Sequence, residues 1–139
     1  MKTKLLLLLL LITPDIAISD DLKHFESDGC SSFPDGTLKQ KKLWLTCCIE
    51  HDKRYWLGGT YEERVKADDD LKICVAKVGG PALAQIMLTG VRVGGAPYLP
   101  TTFRWGYGWT YPRGYKTLTE KERKDARNKI SDVPPEEKN

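Results

Sequence analysis

Two adjacent cysteines, Cys47 and Cys48, constrain this chain more than any other feature of its sequence. The planar peptide between neighbours strains a bridge across it, so each should reach a distant partner. Cys30 and Cys74 complete an even set of four, and of the three possible pairings the one that joins neighbours is disfavoured. Two covalent staples meeting on one turn of chain leave little freedom in how the flanking segments pack. Such staples need an oxidising compartment. Lys2 and Lys4 precede an unbroken apolar run from Leu5 to Ile12, followed by Ala17-Ile18-Ser19. That is the layout of a secretory leader cleaved after about Ser19. The run falls well short of the roughly 20 apolar residues of a membrane span. Residues 1–19 are therefore expected to be a leader, 20–131 a single domain and 132–139 a disordered tail. The mature chain is expected to be secreted or periplasmic.

A chain of 139 residues has room for one modest core. The formal charge is +3, and the leader would remove Lys2, Lys4 and Asp15. What remains is too balanced to suggest binding to nucleic acid.

The pattern of apolar residues predicts a mainly α fold. Asp28-Gly29 and Ser31-Ser32-Phe33-Pro34-Asp35-Gly36 are turn signals in an irregular lead-in. From about Gln40 to Leu57 there is neither glycine nor proline, and the rhythm of Leu43, Cys47, Ile49 and Tyr55 is partly helical. Gly58-Gly59 stops that segment, and Thr60 with Glu63 forms a capping box for a second helix to about Val78. Its apolar face is Ala67, Leu71, Cys74, Val75 and Val78. A link this short sets the two helices antiparallel. Pro81 opens a third, shorter helix with Leu83, Ile86, Met87, Gly90 and Val91 on one face. Leu83, Ile86 and Met87 read as core that could also line an acyl channel. Gly94 to Tyr115, rich in glycine, proline and aromatics, reads as loops with room for one short strand. Thr119 and Glu122 cap a last helix that is polar nearly all round, a solvated face.

The chemistry is concentrated in Cys47-Cys48-Ile49-Glu50-His51-Asp52-Lys53-Arg54-Tyr55. Side chains four apart share a helix face, so Cys47, His51 and Tyr55 form one row and Cys48 lies one turn below Asp52. If Cys47 is taken with Cys74 across antiparallel helices, His51 lies about 6 Å along one helix and Asp68 about 9 Å back along the other. Asp68 then stands level with His51 and Tyr55. It also shares a face with Leu71 and Val75, which turns it toward the first helix. A carboxylate beside an imidazole holds one ring nitrogen as donor and leaves the other free to take a proton. The remaining pair, Cys30 with Cys48, would tie the Asp28-Gly29-Cys30 loop beside Asp52. Two carboxylates and several loop carbonyls suit a hard cation such as calcium.

This stretch resembles the secreted phospholipase A2 family, whose signature of two cysteines, a His-Asp pair and a tyrosine stands here as Cys47, Cys48, His51, Asp52 and Tyr55. Asp68, six residues before Cys74, matches a second element of that family. The Asp28-Gly29-Cys30-Ser31 loop, with Pro34 and Asp35 after it, is similar to the short calcium loop of the microbial branch. The resemblance spans about Asp28 to Val75. It implies a phospholipase A2-like fold: a calcium loop, then two antiparallel disulfide-linked helices, then a third packed helix. It implies the bridges Cys30–Cys48 and Cys47–Cys74. It also implies that His51 is a general base oriented by Asp68, with Tyr55 hydrogen-bonded to that aspartate. Asp52, the Asp28 side chain and the Gly29 carbonyl would bind calcium. The reaction implied is hydrolysis of the sn-2 ester of a phospholipid at a membrane surface, by a monomer. The sequence departs from animal members in lacking their glycine-rich calcium loop, in having few disulfides, and in carrying Arg54 where they have another cysteine.

Three further features of the sequence admit other readings. A zinc site of Cys47, His51 and Cys74 has suitable spacing but needs thiols that export would oxidise. His24 has no partner pattern and reads as a solvated bystander. Phe103 to Arg113 reads either as an aromatic belt for a bilayer or as Trp105 and Trp109 folding back into the core, and the second reading is preferred. On the first, the chain would be a non-catalytic lipid- or protein-binding module.

Overall fold

The computed structural model describes residues 21–131. The expected leader (1–19) and tail (132–139) lie outside the described residues. Four helices are present: α1 (Leu45–Leu57), α2 (Tyr61–Gly79), α3 (Pro81–Gly94) and α4 (Glu120–Ser131). Among the described residues the only β pairing is an isolated antiparallel bridge between Leu22 and Trp109, so the strand allowed for in 94–115 is not formed. None of the helices there is long and apolar enough to cross a membrane.

α1 starts later than its sequence suggests. Trp44 is held to the preceding loop, its backbone N–H donating to Asp35 O at 3.0 Å and its indole to Pro34 O at 2.6 Å. Those long-range bonds keep residues 37–44 in turns, and the helix begins only at Leu45. The capping box at the head of α2 is complete: Thr60 N–H donates to Glu63 Oε2 at 2.8 Å, and Glu63 N–H to Thr60 Oγ1 at 3.2 Å.

The bridges are Cys30–Cys48 and Cys47–Cys74, with Cα–Cα separations of 5.1 and 5.7 Å. Such bridges fit an oxidising compartment. Cys47 lies near the start of α1 and Cys74 near the end of α2, while Tyr55 near the end of α1 meets Arg64 near the start of α2. The two helices are therefore antiparallel. Around the bridges Trp44, Leu71, Val75, Ala84 and Met87 form the first core. The register of α3 differs from expectation. Ala84 and Met87 are buried, Leu83 and Val91 partly so, and Ile86 is 57 % exposed. Ala84 is wholly buried, and Ile86, two residues on, lies on the opposite side of the helix. Val78, at the end of α2, is also exposed.

A second core joins Leu22, Phe25, Trp56, Trp109, Leu118 and Ala126, tying the lead-in and α4 to the back of α1. A third holds Tyr55, Ala67 and Trp105. Trp105 and Trp109 are 1 % and 3 % exposed, so the aromatic stretch completes the core. Each of the four indoles donates to a backbone carbonyl: Trp44 to Pro34, Trp56 to Lys23, Trp105 to Gly59 and Trp109 to Leu57.

α4 is capped as expected, with Thr119 N–H donating to Glu122 Oε2 at 2.8 Å and Glu122 N–H to Thr119 Oγ1 at 3.2 Å. Arg113 NH2 donates to Glu122 Oε1 at 2.8 Å. Burial alone would raise the Glu122 carboxyl, but the Arg113 guanidinium and the Thr119 backbone N–H outweigh it and hold the pKa at about 2. A folded-state pKa below the unfolded value means stability that is fully present above pH 4.5 and lost as pH falls through about 2. Glu122→Gln should flatten that part of a melting-temperature profile between pH 2 and 5. A profile identical to that of the parent protein would contradict the assignment.

Candidate functional site

His51 and Tyr55 lie one turn apart on the buried face of α1, and Asp68 faces them from α2. His51 Nε2 is 2.9 Å from Asp68 Oδ1, and the Tyr55 hydroxyl donates to the same oxygen at 2.8 Å. Asp68 is wholly buried and His51 is 7 % exposed. An ionised carboxylate is acceptor-only, so the Nε2 facing it carries the proton and Nδ1 is left as the free base. Burial first, and then the Asp68 charge, push the Tyr55 phenol well above its ordinary pKa, so it remains a donor. Gly95 stands where a Cβ would come within 2.4 Å of the Tyr55 ring, and only glycine leaves room for the phenol there.

Two arginines complete the network, and neither was anticipated. Arg92 Nε, from α3, lies 2.7 Å from Asp68 Oδ2, an ion-pair contact without hydrogen-bond alignment. Its NH2 donates to Asp69 Oδ1 at 2.8 Å. Arg64 donates from Nε to the Tyr55 hydroxyl at 3.0 Å, and from NH2 to the Val91 and Arg92 carbonyls near the end of α3. Arg64 precedes Asp68 by one helical turn, so the spacing that singled out Asp68 pointed to it as well. No local pattern marks Arg92.

Asp52 stands beside the open side of the ring, with Oδ1 4.0 Å from His51 Nδ1. Burial first, and the neighbouring Asp28 charge to a smaller extent, raise its carboxyl to about 7, against a hydrogen bond from Ser27. That hydroxyl donates to Asp52 Oδ2 at 2.6 Å and accepts from Gly29 N–H at 3.1 Å, linking the loop to α1. Asp28 is exposed, and its Oδ1 accepts from Ser31 Oγ at 2.8 Å. Gly29 has φ +73°, and a Cβ there would meet Asp35 Oδ1 at 2.5 Å; that carboxylate accepts from Cys30 N–H at 2.9 Å. The loop is thus folded on Asp35 and fastened by Cys30–Cys48 close to Asp52.

The donors here are all oxygen, and the nearby Asp28 charge adds to the burial that raises the Asp52 carboxyl. Both points fit a hard divalent cation. Among the described residues no group of three or more His, Cys, Asp or Glu side chains converges as a metal cluster. Carbonyls and water would have to complete the coordination of any cation that Asp52 and Asp28 hold. The structure therefore joins His51, Tyr55 and Asp68 directly, and sets Asp52 with the Asp28-Gly29 loop beside them. His24 is exposed, as its bystander reading anticipated.

Two concavities meet at this point. One is a cleft of about 260 Å³ lined by His51 together with Phe33, Leu71, Met87, Val91 and Phe103. The apolar face of α3 thus serves as core and cleft wall together. The other is a basin of about 730 Å³ whose walls mix charged and polar side chains, among them Lys23, Glu26, Asp28, Thr101 and Arg104, with the rings of Trp56, Phe103 and Tyr111. Ser31, Asp52, Phe103 and Tyr107 border both. Compared with family models, curated proteins and solved structures, the chain matches none.

Proposed function

We propose that the chain is a phospholipase A2-like enzyme, secreted or periplasmic, that hydrolyses the sn-2 ester of phospholipids with calcium to a fatty acid and a lysophospholipid. The observation that carries this reading is the seam. An imidazole fixed by a buried aspartate lines an apolar cleft that meets, at the neighbouring Asp52, a wider basin carrying charged side chains, and an amphiphilic ester has the same two parts. His51 Nδ1 takes a proton from water as the water oxygen bonds to the ester carbonyl carbon. Asp68 stabilises the imidazolium that results. That imidazolium then returns the proton to the departing alkoxide as the C–O bond breaks. Asp52, the Asp28 side chain and the Gly29 carbonyl would hold calcium, which would supply positive charge to the developing oxyanion beside a backbone N–H near Ser31. Phospholipid at a membrane surface is the partner, and the enzyme acts as a monomer.

The alternative, a non-catalytic lipid- or protein-binding module, rests on the reduced calcium loop and on the aromatic stretch. With Trp105 and Trp109 in the core, that stretch is left with Phe103 and Tyr111 as exposed rings.

The test is release of fatty acid from phospholipid vesicles by the mature protein. Removing calcium with a chelator should suppress the rate at least about 100-fold, and His51→Gln about 10³-fold, within the range of general acid–base catalysis. No release under any condition, or release indifferent to both changes, ends the enzymatic reading.

A further inference from the structure

The wider basin holds a buried cation that no acid among the described residues neutralises. Arg104 lines it and is 7 % exposed. Its NH1 donates to Thr101 O at 3.2 Å, its NH2 to Trp109 O at 2.7 Å, and its guanidinium lies 5.2 Å from the Tyr111 ring centroid. Carbonyl dipoles and a ring face orient the group without cancelling its charge. Its buried Nε has no hydrogen-bond partner among the described residues, and neither does the buried Thr101 hydroxyl on the same wall. The other arginines of the interior are placed differently. Arg92 faces Asp68, Arg113 faces Glu122, and Arg64 is fastened to Tyr55 in the Asp68 cluster.

An unneutralised buried guanidinium is costly, and a protein retains one most readily where an anion comes to it. Burial pushes the Arg104 pKa below the usual arginine value, as expected for a charge without a counter-ion. The basin also carries Lys23 and the acids Glu26, Asp28 and Asp52. Under the reading above, Asp28 and Asp52 are committed to the cation, which leaves Lys23 and Arg104 against Glu26 alone. Arginine is suited to phosphate because its planar donors match the phosphate oxygens. Asp52 borders the basin and the ester-sized cleft alike, so a phosphate a few bonds from the reacting carbonyl would enter the basin while the chain occupied the cleft.

We propose that the basin is a phosphate subsite, with Arg104 as its buried counter-charge, that takes the head group of the phospholipid substrate. This rests on the phospholipase reading for its lipid source, though not for its anion chemistry.

The experiment uses the mature His51→Gln protein with calcium, which keeps binding separate from turnover. The probes are sn-glycero-3-phosphocholine, the deacylated head of a phospholipid, and inorganic phosphate. The readout is the Arg104 Nε–Hε resonance, which needs no change at Arg104 and so survives if Arg104 variants fail to fold. The expected result is a saturable shift with the glycerophosphodiester at lower concentration than with inorganic phosphate. A shift with inorganic phosphate alone overturns the assignment to a lipid head, and no shift with either overturns the subsite. In the active protein, Arg104→Gln should raise KM for phospholipid about tenfold with little change for a neutral diacylglycerol ester, and Arg104→Lys should recover part of it. Equal changes on both esters would mean that Arg104 only braces the loop. If vesicle hydrolysis fails while the resonance still shifts, the phospholipase reading falls and the anion site stands.

Discussion

Asp68→Asn is expected to lower turnover by about 10²–10⁴-fold, the span attributed to a positioned acid–base group. It should also cost the fold about 3 kcal/mol, the lower end of the range for breaking a buried pair. The reason is an inventory of donors. The carboxylate has one oxygen for His51 and Tyr55 and the other for Arg92. An asparagine oriented to accept from His51 turns its amide N–H₂ onto the Arg92 guanidinium. Flipped, it presents the amide to His51 and forces the proton onto the wrong ring nitrogen. The lower end applies because the Arg92 side chain is 35 % exposed and water takes up part of the loss. Vesicle turnover and urea unfolding measure the two effects. A variant with unchanged rate and unchanged midpoint would mean that Asp68 orients nothing.

The second large effect is expected from removing the bridge between α1 and α2. Cys47–Cys74 closes a loop with a sequence separation of 27, for which the chain-entropy model gives about 3–4 kcal/mol. Replacing both cysteines with alanine should lower the unfolding free energy by that amount. It should also slow turnover by about tenfold, since the bridge sits one turn from His51 and sets the register that brings Asp68 level with it. Removing Cys30–Cys48 instead should act mainly on the calcium concentration needed for half-maximal rate, because that bridge fastens the Asp28-Gly29 loop. Equal effects from the two deletions would contradict this division of labour.

The parts of the molecule legible in its sequence are those governed by local spacing. Rows of side chains four apart, with one covalent tie between antiparallel helices, are enough to bring His51, Tyr55 and Asp68 together. The capping boxes at Thr60 and Thr119 are equally local. What could not be read depends on distant partners. The start of α1 is displaced by the hold of Pro34 and Asp35 on Trp44. The rotation of α3 is set by its packing on the other helices, which buries Ala84 and Met87 and leaves Ile86 outside despite its apolar side chain. Arg92 reaches Asp68 from another helix, and Ser27 reaches Asp52 across 25 residues. The aromatic stretch was ambiguous because tryptophan suits a core and a membrane interface equally well. The backbone carbonyls waiting for its indoles decide the matter.

Those carbonyls have a wider consequence. A helix leaves its final C=O groups without partners of its own. Here Gly106 N–H donates to Tyr55 O, Gly108 N–H to Trp56 O, and the Trp109 indole to Leu57 O. The terminus of the segment that bears His51 is thus completed by residues some fifty positions later in the chain. A ribosome that has delivered every proposed catalytic side chain has still not delivered a finished α1. Shortening the protein before Arg104 would keep the signature intact and remove the splint that makes it rigid.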